Sequence, residues 1–193
     1  MRGIKYKGLR KGDLIVVRPD FSQPKLSIDW LVGWAIHKFC KATHIVAYTG
    51  KGYIIDNTKN HKVKGVRKTE LTKFIEGQLK TYGGVTLYVV KPKRFSNRKR
   101  KKFVQKLEYY LNNNVITYSV SHLVRFAVWI YRHTLNKIAE PLTLTGFAVC
   151  STFMAWVLKE IGTDIGRRAS ITFTPLTFLC SRKFVITNKV VII

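Results

Sequence analysis

The stretch from Thr43 to Thr58 limits the fold more than any other. Two runs of β-branched and aromatic residues, Thr-His-Ile-Val-Ala-Tyr-Thr and Tyr-Ile-Ile-Asp-Asn-Thr, flank Gly50-Lys51-Gly52. Such a pattern closes into an antiparallel hairpin and commits the chain to a sheet. The loop length also decides which side chains share a face. A three-residue loop, favoured by the two glycines, pairs His44 with Asp56 or with its near neighbour Thr58 and puts His44 and Asp56 on one side. A two-residue loop puts them on opposite sides.

The rest of the chain supplies helices to cover that sheet. Lys11–Arg18 reads as a turn into a short buried strand, and Pro19 and Pro24 bracket a loop. Leu26–Phe39 has the apolar spacing of a helix. Val63–Arg67 is a short strand, Leu71–Ile75 one helical turn, and Val85–Val90 a strand ending before Pro92. Ser96 caps a helix running to about Leu111. Asn112–Asn114 breaks it, Val115–Tyr118 is extended, and Ser121–Leu135 is a second, mostly apolar helix. Thr174-Pro175-Leu176 forms a turn, and Phe184–Ile193 holds two closing strands. The class is α+β, helices on an antiparallel sheet, in a single domain over residues 1–193 with a basic segment around 91–102.

Between these lies Phe147–Gly162, an apolar helix with Cys150 in or just before its first turn and Gly162 as its stop. A cysteine at a helix N-terminus faces unpaired N–H groups and the positive end of the dipole, which favour the thiolate. The sequence contains five histidines. His37, His122 and His133 lie in apolar helices and His61 in a charged loop. His44 begins a buried strand, where an imidazole is held rigidly at the edge of a core. Asp56 would then accept from one ring nitrogen and leave the other for the Cys150 proton. By spacing alone, a structural Asp with an unrelated buried Cys fits these residues as well.

Charge sets the second theme. Thirty-five Lys and Arg against ten Asp and Glu give +25, with a pI near 10.3. Such a chain attracts nucleic acid, anionic lipid, wall polymers or an acidic protein. Arg98, Lys99, Arg100, Lys101 and Lys102 crowd the start of the Ser96 helix, where cations oppose the dipole, so either a solvated face or a partner accounts for them. Cys40, Cys150 and Cys180 form no CxxC pair, which leaves zinc and disulfide frameworks without support; no metal or cofactor is expected. The N-terminus lacks the apolar core of a signal peptide, and Pro141–Leu158, the longest uncharged run, carries Pro, Gly and Thr and reads as a buried segment. A cytoplasmic or virion-associated location is the expectation.

The order of these segments resembles the circularly permuted NlpC/P60 families, papain-like cysteine hydrolases in which the His strand precedes the Cys helix. The residues that carry the likeness are Lys-Gly-Asp-Leu-Ile from Lys11, the hairpin from Thr43, Val-Cys-Ser-Thr-Phe-Met-Ala-Trp-Val-Leu from Val149, and Thr174-Pro175. The YiiX/YycO-like branch is the most similar; the lecithin retinol acyltransferase-like branch shares the first half, with a polar residue where Asp56 stands. The resemblance implies Cys150 as nucleophile, His44 as general base and Asp56 as orienting residue, with the Cys150 N–H as an oxyanion donor. Branch members often have Glu in place of Asp56, and the basic segment Lys91–Lys102 is no part of the pattern. The implied activity is a thiol amidase or peptidase directed at cell-wall peptidoglycan, or a lipid acyl hydrolase or acyltransferase. The alternatives on the same fold are a structural virion component binding nucleic acid or another anionic polymer, and a membrane-surface protein using Trp30 and Trp34 beside Lys38 and Lys41.

Overall fold

The computed structural model describes residues 8–22, 30, 33–34, 37, 41–59, 64–114, 116, 150–165 and 174–193. Within them the strands are β1 (Leu14–Asp20), β2 (His44–Gly50), β3 (Tyr53–Lys59), β4 (Lys64–Glu70), β5 (Gly84–Pro92) and β6 (Phe184–Ile192). The helices are α1 (Leu71–Tyr82), α2 (Asn97–Asn113), α3 (Cys150–Glu160) and α4 (Pro175–Cys180). The strands form one six-stranded sheet in the order β4-β3-β2-β1-β5-β6, antiparallel at every pairing. The α+β class therefore stands.

Both faces of the sheet are covered, which explains why β1 reads as an unbroken apolar run. Leu14 and Val16 face a cluster that takes in Phe103 and Leu107 of α2, Phe153 and Val157 of α3, and Phe178 of α4. Ile15 and Val17 face the other cluster, with Leu71, Phe74 and Ile75 of α1. The two-residue side-chain period of a strand sends alternate residues to these two layers.

Several local expectations change. Pro19 lies inside β1, opposite Val85. The strand tolerates it because β1 has outrun its β2 pairing, which ends at Val17, so that side needs no N–H donor. Leu71 opens a helix of twelve residues, not a single turn. The two expected closing strands are one, β6. Its polar Thr187-Asn188-Lys189 centre is absorbed by a register shift opposite Val89 and Val90, and the Thr187 hydroxyl donates to the Val89 carbonyl at 3.3 Å. Thr174 caps α4 through a reciprocal capping box with Thr177. The Ser96 cap holds, its Oγ accepting from the Lys99 N–H at 3.3 Å. Asn114 ends α2 in the left-handed conformation.

Of the Leu26–Phe39 helix only positions 30, 33, 34 and 37 are described, all helical. Trp30 is buried against Phe21, with ring centroids 5.5 Å apart. The proposed Ser121–Leu135 helix, most of Val115–Tyr118, and Cys40, His61, His122 and His133 lie outside the described residues. Among the described residues no helix is long and apolar enough to cross a membrane.

The basic start of α2 divides into separate roles. Arg100 is not on the surface. It is buried, its Nη1 donating to Asp13 Oδ1 at 2.6 Å and to the Lys11 carbonyl at 3.1 Å. Asp13 also caps its own turn by accepting from the Arg10 N–H at 2.8 Å. Gly12 sits at φ 87, where a Cβ would meet Arg100 at 3.3 Å, so the Lys-Gly-Asp turn is shaped to receive this guanidinium. Lys99 Nζ reaches the Gly162 carbonyl at 2.7 Å, a favourable cation at the end of α3. Arg98, Lys101 and Lys102 are exposed.

Replacing Arg100 with Met strands the Asp13 carboxylate in the core. We expect a loss of roughly 3–5 kcal/mol in urea unfolding. The double variant Arg100→Met with Asp13→Asn should recover most of it.

Candidate active site

The hairpin reaches the expected facing by another route. Gly50 pairs with Tyr53, so the loop is the two residues Lys51 and Gly52, both at positive φ (53° and 80°), the signature of a type I′ turn. That loop alone would put His44 and Asp56 on opposite faces. A bulge between Tyr48 and Gly50 inserts one residue, Thr49, and restores the parity of a longer loop. The Thr49 hydroxyl donates to the Tyr53 carbonyl at 3.1 Å. His44 and Asp56 consequently share a face and are hydrogen-bonded, His44 Nε2 to Asp56 Oδ2 at 2.8 Å.

Beyond Asp56 stands Arg67, a residue that sequence reasoning did not place in the site. It lies directly opposite Asp56 in the β3–β4 ladder. Its Nε donates to Oδ1 at 2.9 Å and its Nη2 to Oδ2 at 3.3 Å. The signal was present: Val63–Arg67 reads as a strand, and an arginine ending a strand beside a buried carboxylate is a cross-strand ion-pair candidate. What the sequence lacks is the register across residues 60–63.

Cys150 is the first residue of α3 and is 6% exposed. By parity His44 points toward the α1 layer, where its ring lies 5.8 Å from that of Phe74. Cys150 belongs to the opposite cluster. The two nonetheless interact, His44 being the first residue of its strand. Cys150 lies near enough to the His44 imidazole for its charge and hydrogen-bonding capacity to raise the ring's pKa. With Nε2 engaged by Asp56, Nδ1 is the nitrogen left for sulfur. His44, Asp56 and Arg67 thus form one continuous chain of hydrogen bonds, with Cys150 near its His44 end.

The electrostatics follow from burial and charge. Burial alone pushes the His44 pKa down. The negative charge of Cys150, the hydrogen bonds to Asp56 and Cys150, and the charge of Asp56 outweigh it and raise the pKa from 6.5 to about 10. Burial likewise pushes the Asp56 carboxyl up, but hydrogen bonding to and charge from His44, then Arg67, hold it below the usual carboxylate range. The arrangement favours a protonated His44 ring held between a buried carboxylate and the Cys150 sulfur. His37, by contrast, packs on Phe21 at 4.9 Å, and burial followed by Arg18 and Lys41 lowers its pKa. Cys180 is exposed.

No protein-family model and no curated protein matches this chain.

Two outcomes are expected from this geometry. In an NMR titration the His44 imidazole should lose its proton well above pH 6.5, and Cys150→Ala should lower that midpoint by removing a negative neighbour; an unchanged midpoint would contradict the contact. The linkage signs are opposite for the two partners. His44 contributes stability that is complete below pH 6.5 and lost as pH rises through about 10. Asp56 contributes stability present above its unfolded-state pKa and lost as pH falls. Arg67→Met removes one of the cations holding Asp56 ionised, so acid unfolding followed by circular dichroism should shift to higher pH.

Proposed function

We propose that this protein is a cysteine hydrolase of the permuted NlpC/P60 type, with a papain-like arrangement, that cleaves amide bonds through Cys150, His44 and Asp56. The observation that carries the reading is the His44–Asp56 hydrogen bond of 2.8 Å on a ring whose pKa the nearby Cys150 raises. A buried carboxylate orienting an imidazole, with the imidazole against a sulfur at a helix N-terminus, is the constellation that nucleophilic acyl transfer requires.

In the proposed cycle the Cys150 thiolate attacks the carbonyl carbon. The backbone N–H groups at the start of α3 face the developing oxyanion, as orphan donors at a helix N-terminus do. The His44 imidazolium passes its proton to the leaving amine as the C–N bond breaks, giving a thioester. Neutral His44 then takes a proton from water, whose oxygen displaces the sulfur and releases the acid. Asp56 keeps the ring in one orientation throughout, and Arg67 keeps Asp56 ionised. The substrate class that fits best is a wall peptide, because a strongly cationic chain is drawn to anionic polymers. A lipid acyl ester would pass through the same thioester.

A thiol-directed alkylating probe read by peptide mass spectrometry tests the reading. Cys150 should be modified rapidly near neutral pH, and Cys180, being exposed, reports ordinary thiol reactivity in the same sample. His44→Ala should bring Cys150 down to the Cys180 rate or below. On a cleavable peptidoglycan fragment, His44→Ala should cost about 10²–10⁴ in turnover and Cys150→Ala should leave none. Equal labelling of Cys150 and Cys180 with no dependence on His44 would sink the hydrolase proposal.

A further inference from the structure

Far from Cys150, at the other end of α3, four segments enclose a cleft of about 570 Å³. Its wall comprises Lys93 and Arg94 after β5, Lys99 of α2, Gly162 to Asp164 after α3, and Arg182 and Lys183 before β6. The eleven residues of α3 separate this cleft from the nucleophile by roughly 16 Å at the helical rise. The segments are tied together. The Lys93 N–H donates to the Lys183 carbonyl at 2.9 Å, Lys99 Nζ to the Gly162 carbonyl at 2.7 Å, and Lys183 Nζ contacts Asp164 Oδ2 at 2.5 Å.

Two independent features of the wall need a partner. First, it gathers five cationic side chains against a single carboxylate, Asp164, which engages Lys183. Like charges crowded around a concavity repel one another and focus a positive potential into it. Second, Thr163 is only 6% exposed, and its Oγ1 is buried with no hydrogen-bond partner. The Thr163 N–H is already spent on the Leu158 carbonyl at 2.9 Å, so the hydroxyl of this cleft-lining residue is left without a protein partner among the described residues. A buried hydroxyl left unpaired is costly and rare in a native fold. Guanidinium, ammonium and hydroxyl groups lining one space suit an oxyanion with several acceptor oxygens. The volume lies within the roughly 300–1,000 Å³ of small-molecule sites, which favours a compact ligand over a polymer laid across the surface.

We infer that this cleft is a second site, separate from the cysteine centre, that binds the phosphate groups of a small phosphorylated ligand. Arg94 and Arg182 supply planar donor forks, Lys93 and Lys99 supply point charges, and Thr163 supplies a hydroxyl. None of these residues belongs to the Cys150 site, so the inference stands or falls independently of the hydrolase proposal.

Calorimetric titration of the full chain with sodium pyrophosphate tests it. Saturable binding of one pyrophosphate is expected, weakening as salt rises. Thr163→Val, which keeps the side-chain shape, should weaken it about fivefold, the worth of one net hydrogen bond. The double variant Arg94→Gln, Arg182→Gln should weaken it at least about tenfold. Arg98→Gln with Lys101→Gln removes two exposed cations outside the cleft and should change affinity by less than about twofold. Folding of each variant is checked by its thermal transition. Three results would each overturn the inference. These are an absence of saturation by pyrophosphate; an Arg98/Lys101 variant that weakens binding as much as the Arg94/Arg182 variant, which means diffuse charge alone; and a short single-stranded oligonucleotide that binds more tightly than pyrophosphate with no effect of Thr163→Val, which means a polymer track.

Discussion

A fully buried carboxylate cannot stay ionised alone, and this requirement governs the cysteine centre. Asp56 has no exposed surface. Burying a charge in a low-dielectric interior costs several kcal/mol unless partners compensate. Here the partners are His44 on one side and Arg67 on the other, each reaching the carboxylate from a neighbouring strand. The same contact that stabilises Asp56 as an anion holds the His44 ring and favours its protonated form. The ring in turn feels the nearby Cys150 sulfur, which raises its pKa further. Structural necessity and the proposed chemistry thus use one set of hydrogen bonds.

The strand geometry behind that set turns on a single residue. A tight Lys51-Gly52 turn matches the twist of the sheet but carries the wrong parity for a His44–Asp56 contact. Thr49, left over as a bulge, flips the facing back. The facing of His44 and Asp56 was therefore legible from Gly-Lys-Gly, but through an incorrect loop length. Loop and bulge compensate because side-chain orientation depends only on the total count of residues, odd or even. Arg67 was out of reach for a related reason: its partner depends on the register between β3 and β4, and no local pattern in residues 60–63 sets that count.

The large positive charge resolves into different kinds of cation. Arg100 is a core residue, neutralised by Asp13, and ties the Gly-Asp turn to α2. Lys99 and Lys183 bind across segments. Others, such as Arg98 and Lys101, face solvent. A run of basic residues in a sequence looks uniform because charge is counted per residue, whereas its effect depends on which face of the helix each residue occupies. The rotation from each helical residue to the next turns Arg100 onto the Lys11–Asp13 turn and leaves its neighbours Arg98 and Lys101 in solvent.

By itself the sequence determined what depends on neighbours close along the chain. The apolar runs of β1, β2 and β5, the Ser96 cap, the Gly162 stop and the helix that carries Cys150 are all local, because periodicity and capping are set within a few residues. It also named His44 and Asp56 as the residues to pair with that cysteine. Only the tertiary structure decided the rest: that α1 covers one face while α2, α3 and α4 cover the other, that Arg67 completes the chain of contacts, that Arg100 is buried, and that distant cations surround Thr163. These depend on strand register and on the meeting of element ends. Long-range packing selects among arrangements that local preferences leave equally open.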